Sequence, residues 1–126
     1  MGSGKVLVVD DEELVKDVTG EMLESLGYDV EYASDGETAV HMYEEQITKG
    51  SRYDLVIMDL TIPGGMGGKD AILKLSELDP EVLAIVSSGY ANDPIMAHYR
   101  DYGFSAVLSK PFNIEDLSKT LSELKS

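Results

Sequence analysis

Val6-Leu7-Val8-Val9-Asp10-Asp11 is a short, β-branched apolar run that ends on two carboxylates. An unbroken apolar run of this length predicts a strand buried on both faces, because a strand with one wet face would alternate apolar and polar residues. Residues 6–9 are therefore read as a first strand, β1, of a parallel sheet, with both acids at its carboxyl end. Immediately downstream, residues 12–26 place Leu14, Val15, Val18, Met22 and Leu26 at helical spacing. They mark one face of a helix, α1, that Gly27 closes.

The same pair of signals recurs along the chain. Residues 29–33 read as β2 and 35–49 as α2, with Ala39, Val40, Tyr43 and Ile47 inward. Residues 55–58 read as β3, ending at Asp59. The glycine-rich loop from Pro63 to Gly68 follows, then α3 with Ile72, Leu75 and Leu78, stopped by Pro80. Residues 82–86 form β4, about 94–102 α4 and 106–109 β5, and Ile114, Leu117, Leu121 and Leu124 define α5. Strands alternating with helices predict an α/β chain, a (βα)5 three-layer sandwich, since crossovers between parallel strands are right-handed and cover both faces.

The 126 residues suit one domain, taken as residues 5–126, with Met1-Gly2-Ser3-Gly4 read as a scar left by cloning. The chain is 43% hydrophobic without any apolar run long enough for a membrane span, which predicts a cytoplasmic protein. The absence of cysteine excludes disulfides and thiolate metal sites. An excess of 24 acidic over 10 basic residues, net −14, argues against direct binding to nucleic acid or to an anionic membrane.

In an open parallel sheet the ligand site lies outside the carboxyl ends of the strands. The polar residues found there are Asp10 and Asp11, Asp59, Ser87 and Ser88, and Lys110 with Pro111. Taken singly, each has a plain structural explanation: an Asp caps a helix, a Ser or a Lys-Pro sits in a turn. Their joint placement at four strand ends asks for more. Three gathered carboxylates repel one another unless a cation intervenes, and oxygen donors without His or Cys suit a hard ion such as Mg²⁺, with Mn²⁺ as a substitute. Three acids and one Lys leave about −2, which a divalent cation neutralises, so that an incoming phosphoryl dianion is tolerated. A carboxylate is a known covalent nucleophile, and Asp59 is assigned that role.

The chain resembles the receiver domains of two-component signalling over essentially its whole length after residue 4. The resemblance rests on Val8-Val9-Asp10-Asp11, Met58-Asp59-Leu60 with Pro63, Ser88-Gly89-Tyr90 and Lys110-Pro111-Phe112, in family order and spacing. It implies the flavodoxin-like strand order 2-1-3-4-5, for which a receiver is itself a standard example. It also implies that Asp59 is the phosphoacceptor and that Asp10, Asp11, Asp59 and the Thr61 main-chain carbonyl hold the metal. Ser88 and Lys110 would bind phosphoryl oxygens, Gly89, Tyr90 and Pro111 would be secondary, and Ser87 structural. The implied partner is a histidine kinase or histidine phosphotransfer protein, with homodimerisation expected through the α4-β5-α5 face. The domain is then a switch, and no enzyme beyond its own phosphorylation and dephosphorylation.

The chain departs from the family pattern in two places. The loop Pro63-Gly64-Gly65-Met66-Gly67-Gly68 is one residue longer than Pro-x-Met-x-Gly, and Val107 stands three residues before Lys110, where many receivers carry a Tyr or Phe switch. The loop and the Ser-Ser-Gly-Tyr signature resemble receivers at the carboxyl end of hybrid sensor histidine kinases, and a stand-alone single-domain regulator would show the same residues. Two rival functions are weighed. An Asp-nucleophile Mg²⁺ phosphatase would need a second acid, but Asp59-Leu60-Thr61 has none. An unphosphorylated interaction module would not need the acids and Lys110. Gly2-Ser3-Gly4-Lys5 precedes a strand and so fails as a phosphate-binding loop, and His41 and His98 lack ligand partners at helical spacing.

Overall fold

The computed structural model describes residues 4–51, 53–60, 68–89, 94–110 and 112–125. Its elements follow the order β1 (Lys5–Val9), α1 (Glu13–Ser25), β2 (Asp29–Ala33), α2 (Gly36–Thr48), β3 (Leu55–Asp59), α3 (Gly68–Leu78), β4 (Ala84–Ser88), α4 (Pro94–Ala97), a 3₁₀ turn (Tyr99–Tyr102), β5 (Ala106–Ser109) and α5 (Ile114–Lys125). All strand pairs are parallel and the sheet order is β2-β1-β3-β4-β5. The chain reverses direction across the sheet at β1 and β3, and that switch point opens the crevice at the carboxyl edge.

Strand alternation divides the interior into two cores. Val8, Ile57, Ile85 and Leu108 pack with Leu23 of α1 and Leu117 of α5, while Val9, Met58 and Val86 pack with Tyr43 of α2 and Leu75 of α3. Full burial of a Leu such as Leu117 contributes about 1.5–3 kcal/mol. Helix ends follow local chemistry. The Asp35 side chain accepts from the Thr38 amide at 2.7 Å, and Asn113 and Asp116 cap each other's backbone at the start of α5. Gly27, at φ +98°, takes the left-handed position after α1, and the Tyr28 amide reaches back to the Leu23 carbonyl.

Four elements depart from the periodicity. Strand β4 begins two residues later than expected and takes in both serines, because Leu60 and Lys110 donate backbone hydrogen bonds to the Ser87 and Ser88 carbonyls. Polar side chains at a strand end read as loop, yet ladder pairing keeps them in the sheet. The expected α4 breaks after one turn, and a 3₁₀ turn lets Tyr99 and Tyr102, three apart and hence stacked, both lean on the core before Gly103 turns at φ +103°. The face of α1 is also rotated. Its buried residues are Lys16, Thr19, Gly20 and Leu23, whereas Leu14 and Val18 are 74% and 46% exposed. Likewise Ile47, expected inward, is exposed.

At the amino-terminal edge of the sheet Tyr53 donates its hydroxyl to Glu31, which also pairs with Lys5 at 3.4 Å. Burial first, then the Glu31 bond and charge, push the Tyr53 phenol above its ordinary value. The Tyr53 bond in turn holds Glu31 below its own, against a smaller burial effect. The Glu31 share of stability is present above 4.5 and lost as pH falls through the depressed folded value. The Tyr53 share is present below 10.0 and lost as pH rises toward the raised one. Tyr53→Phe is therefore expected to cost about 1 kcal/mol, a figure kept low because Glu31 is half exposed. Urea unfolding across pH should show that difference between those two values and its decline outside them.

Candidate functional site

Register and alternation assemble the carboxyl edge. Val8, Ile57, Ile85 and Leu108 share the α1/α5 core, so Asp10, Asp59, Ser87 and Lys110, each two residues further on, follow on that face. Asp59 pairs directly with Ser87 across β3 and β4, and Asp10 follows the paired Val9 and Met58. Ser88, by the same alternation, follows Val86 on the opposite face, where the half-buried Val107 packs in the place of a switch aromatic. Gly68 lets the start of α3 lie against this edge, since a Cβ there would come within 3.1 Å of the Asp59 carbonyl oxygen.

Asp10 and Asp59 are almost wholly buried, at 3% and 4% exposure, and Ser87 and Ser88 are buried beside them. Two carboxylates in such surroundings need compensation. Lys110 supplies it: its Nζ lies 2.8 Å from Asp10 Oδ2 and 3.4 Å from Asp59 Oδ1. Burial draws the Lys110 ammonium downward, but the Asp10 hydrogen bond and the charges of Asp59 and Asp10 together leave it raised, so it stays charged at neutral pH. Asp10 Oδ1 accepts from the Glu12 amide at 3.0 Å, which orients that carboxylate at the head of α1. Nearby, the buried Lys16 ties α1 to the turn after β2, donating to Ser34 Oγ at 2.7 Å and pairing with Glu13 at 3.0 Å.

The donor set fits a hard divalent cation. Carboxylate oxygens of Asp10, Asp11 and Glu12 lie within 4.8 Å of one another, with Asp11 and Glu12 exposed and Asp10 buried. Such all-oxygen, anionic, partly solvated sites suit Mg²⁺, which keeps several waters. The structure thus brings together Asp10, Asp11, Asp59 and Lys110, sets the exposed Gly89 just beyond β4, and adds Glu12, Ser87 and Lys16. Glu12 was legible as the third acid of an unbroken acidic run. Lys16 carried no signal, because a lysine inside an amphipathic helix reads as a surface residue. Thr61, Tyr90, Pro111 and the loop 63–67 lie outside the described residues.

A small doubly wound domain with buried acids bridged by Lys110 at its switch point suits phosphoryl chemistry on a carboxylate. Comparison with known proteins carries this to the family. The profile of the response regulator receiver domain matches residues 6–122. The chain is 32% identical over 123 residues to the sensor kinase CckA of Brucella abortus, covering 98% of this chain and 13% of that protein. It is 27% identical over 117 residues to sporulation initiation phosphotransferase F of Bacillus subtilis, covering 93% of this chain and 90% of that one. Among solved structures, a sensor histidine kinase receiver domain from Pseudomonas aeruginosa, with magnesium coordinated in its active site cleft, superposes with a TM-score of 0.84 at 28% identity, covering 97% of each chain.

The chain belongs to the response regulator receiver domain family of two-component systems. Members of that family bind Mg²⁺ in the active site and interact with histidine kinases or phosphotransfer proteins. The chain spans only a small part of CckA. Among the described residues no helix is long and apolar enough to cross a membrane.

Proposed function

We propose that Asp59 accepts a phosphoryl group from a phosphohistidine and that the modified domain switches conformation. The observation that carries this reading is the buried Asp59 beside Asp10, with Lys110 bridging the two. Asp59 Oδ attacks phosphorus, the phosphorus–nitrogen bond of the donor breaks, and its electron pair stays on the imidazole. Asp10, Asp11 and Asp59, with the Thr61 main-chain carbonyl, would hold Mg²⁺, or Mn²⁺ in its place; Glu12 is a further donor. A bound ion would supply charge neutralisation on the phosphoryl oxygens. Lys110, already charged and flexible on its long stem, moves from the carboxylates to a phosphoryl oxygen, and Ser88 bonds another. Gly89, Tyr90 and Pro111 would play secondary parts.

A single new hydrogen bond to Ser88 contributes about 1.5–3 kcal/mol, whereas reversing a 1:99 equilibrium takes about 5.5 kcal/mol. Lys110 would supply part of the rest, together with the charge of a bound ion or with homodimerisation through α4, β5 and α5. The domain serves as the cytoplasmic receiver of a hybrid sensor kinase, a reading supported by its alignment with CckA over 98% of its length. Intact mass after incubation with Mg²⁺ and a small-molecule phosphodonor tests the chemistry: one added phosphoryl group, absent with chelator, is expected. A folded chain that binds no Mg²⁺ and stays unmodified with several donors would instead be an interaction module.

The exposed Leu14 and Val18 of α1 support a seat for a protein donor. Leu14, Val15, Val18 and Met22 form, with Phe112 and the stem of Lys110, an apolar groove of about 410 Å³ that adjoins the acid pocket. A helix carrying the phosphohistidine, laid in this groove, would bring its imidazole to Asp59. Leu14→Asp with Val18→Asp should lower transfer from the donor protein at least about tenfold, the loss of two buried aliphatic contacts. Labelling by the small phosphodonor should not change.

A further inference from the structure

Ser87 is 2% exposed, and its Oγ has no hydrogen-bond partner among the described residues. A buried serine in a strand ordinarily finds a carbonyl or a neighbouring side chain, because an orphaned hydroxyl keeps the cost of leaving water without return. This one lies in direct register with Asp59, on the same face of the sheet, with the strands about 4.8 Å apart. The Lys110 side chain, rooted on the far side of β4, reaches past this position to Asp59 and Asp10. Ser87 therefore lies at the paired position on the strand between the one that carries the reacting carboxyl and the one that leads into Lys110.

We propose that Ser87 is the hydrogen-bond donor to the Asp59 carbonyl oxygen in the acyl phosphate, and that it sets the lifetime of the phosphoryl group; this rests on Asp59 being the phosphoacceptor. In the unmodified domain Asp59 turns to Lys110. Once Asp59 is esterified and Lys110 follows the phosphoryl oxygens, a rotation of the Ser87 hydroxyl between staggered positions brings it onto the acyl carbonyl. In hydrolysis, water attacks phosphorus, the phosphorus–oxygen bond to Asp59 breaks, and its electron pair returns to the carboxylate, releasing inorganic phosphate and the proton of the attacking water. The transition state is loose, so negative charge grows on the departing carboxylate and spreads to the oxygen that Ser87 faces. The bond is stronger in the transition state than to the neutral acyl group, and it accelerates hydrolysis.

The test labels wild type, Ser87→Ala, Ser87→Val and Ser87→Thr with Mg²⁺ and a small-molecule phosphodonor, removes the donor, and follows loss of the phosphoryl group by intact mass. Ala and Val should lengthen the lifetime about three- to ten-fold, and Thr, which keeps the hydroxyl, should stay near wild type. The acyl carbonyl stretch in the infrared should rise in Ala and Val and not in Thr. Because Thr and Val match in size, their difference isolates the hydroxyl from packing. Equal lifetimes for Thr and Val, or an unchanged stretch, overturn the proposal while leaving Asp59 as phosphoacceptor. A wild type that takes no phosphoryl group overturns both.

Discussion

Asp59→Asn is expected to abolish phosphoryl incorporation while leaving the domain folded and at least as stable as the parent. An amide is no nucleophile at neutral pH, so the mass increase seen with donor and Mg²⁺ should vanish. Stability follows from the two lysine contacts. Lys110 holds Asp10 at 2.8 Å but Asp59 only at 3.4 Å, so the variant keeps the closer pair and loses the repulsion between two buried acids. Intact mass and urea unfolding measured together check both parts. Residual single modification of the variant would move the acceptor elsewhere, with Asp10 as the next candidate.

Lys110→Ala is expected to cost on the order of 3 kcal/mol of stability at neutral pH without metal, because two nearly buried carboxylates lose their only cation among the described contacts. The cost should fall when Mg²⁺ is added, since a divalent ion bound to the folded state alone raises stability by mass action. The variant should also bind Mg²⁺ more tightly than wild type, a tethered competitor having been removed from Asp10. Phosphoryl incorporation can persist, but its coupling to the conformational change should be lost, read as phosphorylated and unphosphorylated forms with the same unfolding midpoint. Calorimetric titration with Mg²⁺ and denaturant unfolding at several Mg²⁺ concentrations check the first claims. Equal Mg²⁺ affinity in both proteins would show that Lys110 and the ion do not compete for the carboxylates.

The strands were legible because a parallel strand buried on both faces leaves a continuous apolar run, as at Val6 to Val9 and Leu55 to Met58. The acid pocket was legible because each run ends on a charged residue, so Asp10, Asp59 and Lys110 could be placed at one edge before any register was known. What periodicity misjudged was the direction of helix faces. In α1 the regular stripe suggested the core, and Met22 and Leu26 do lean on it, yet Leu14 and Val18 face out and the sheet takes Lys16, Thr19, Gly20 and Leu23. A buried Lys16 is tolerable only because Ser34 and Glu13, distant or exposed in the chain, meet its ammonium.

Ser87 and Ser88 show the same division. Sequence alone determined that a parallel five-strand domain exists, where its strand ends fall and that oxygen chemistry gathers there, because those features are carried by the local order of apolar and charged residues. Only the tertiary structure decided that both serines lie within β4, that Ser87 rather than Ser88 shares a face with Asp59, and that Lys110 crosses from β5 to reach Asp10. Register between strands and the rotation of a helix about its axis are set by contacts between residues far apart in the chain. No local pattern encodes them, and they come into being only as the layers pack.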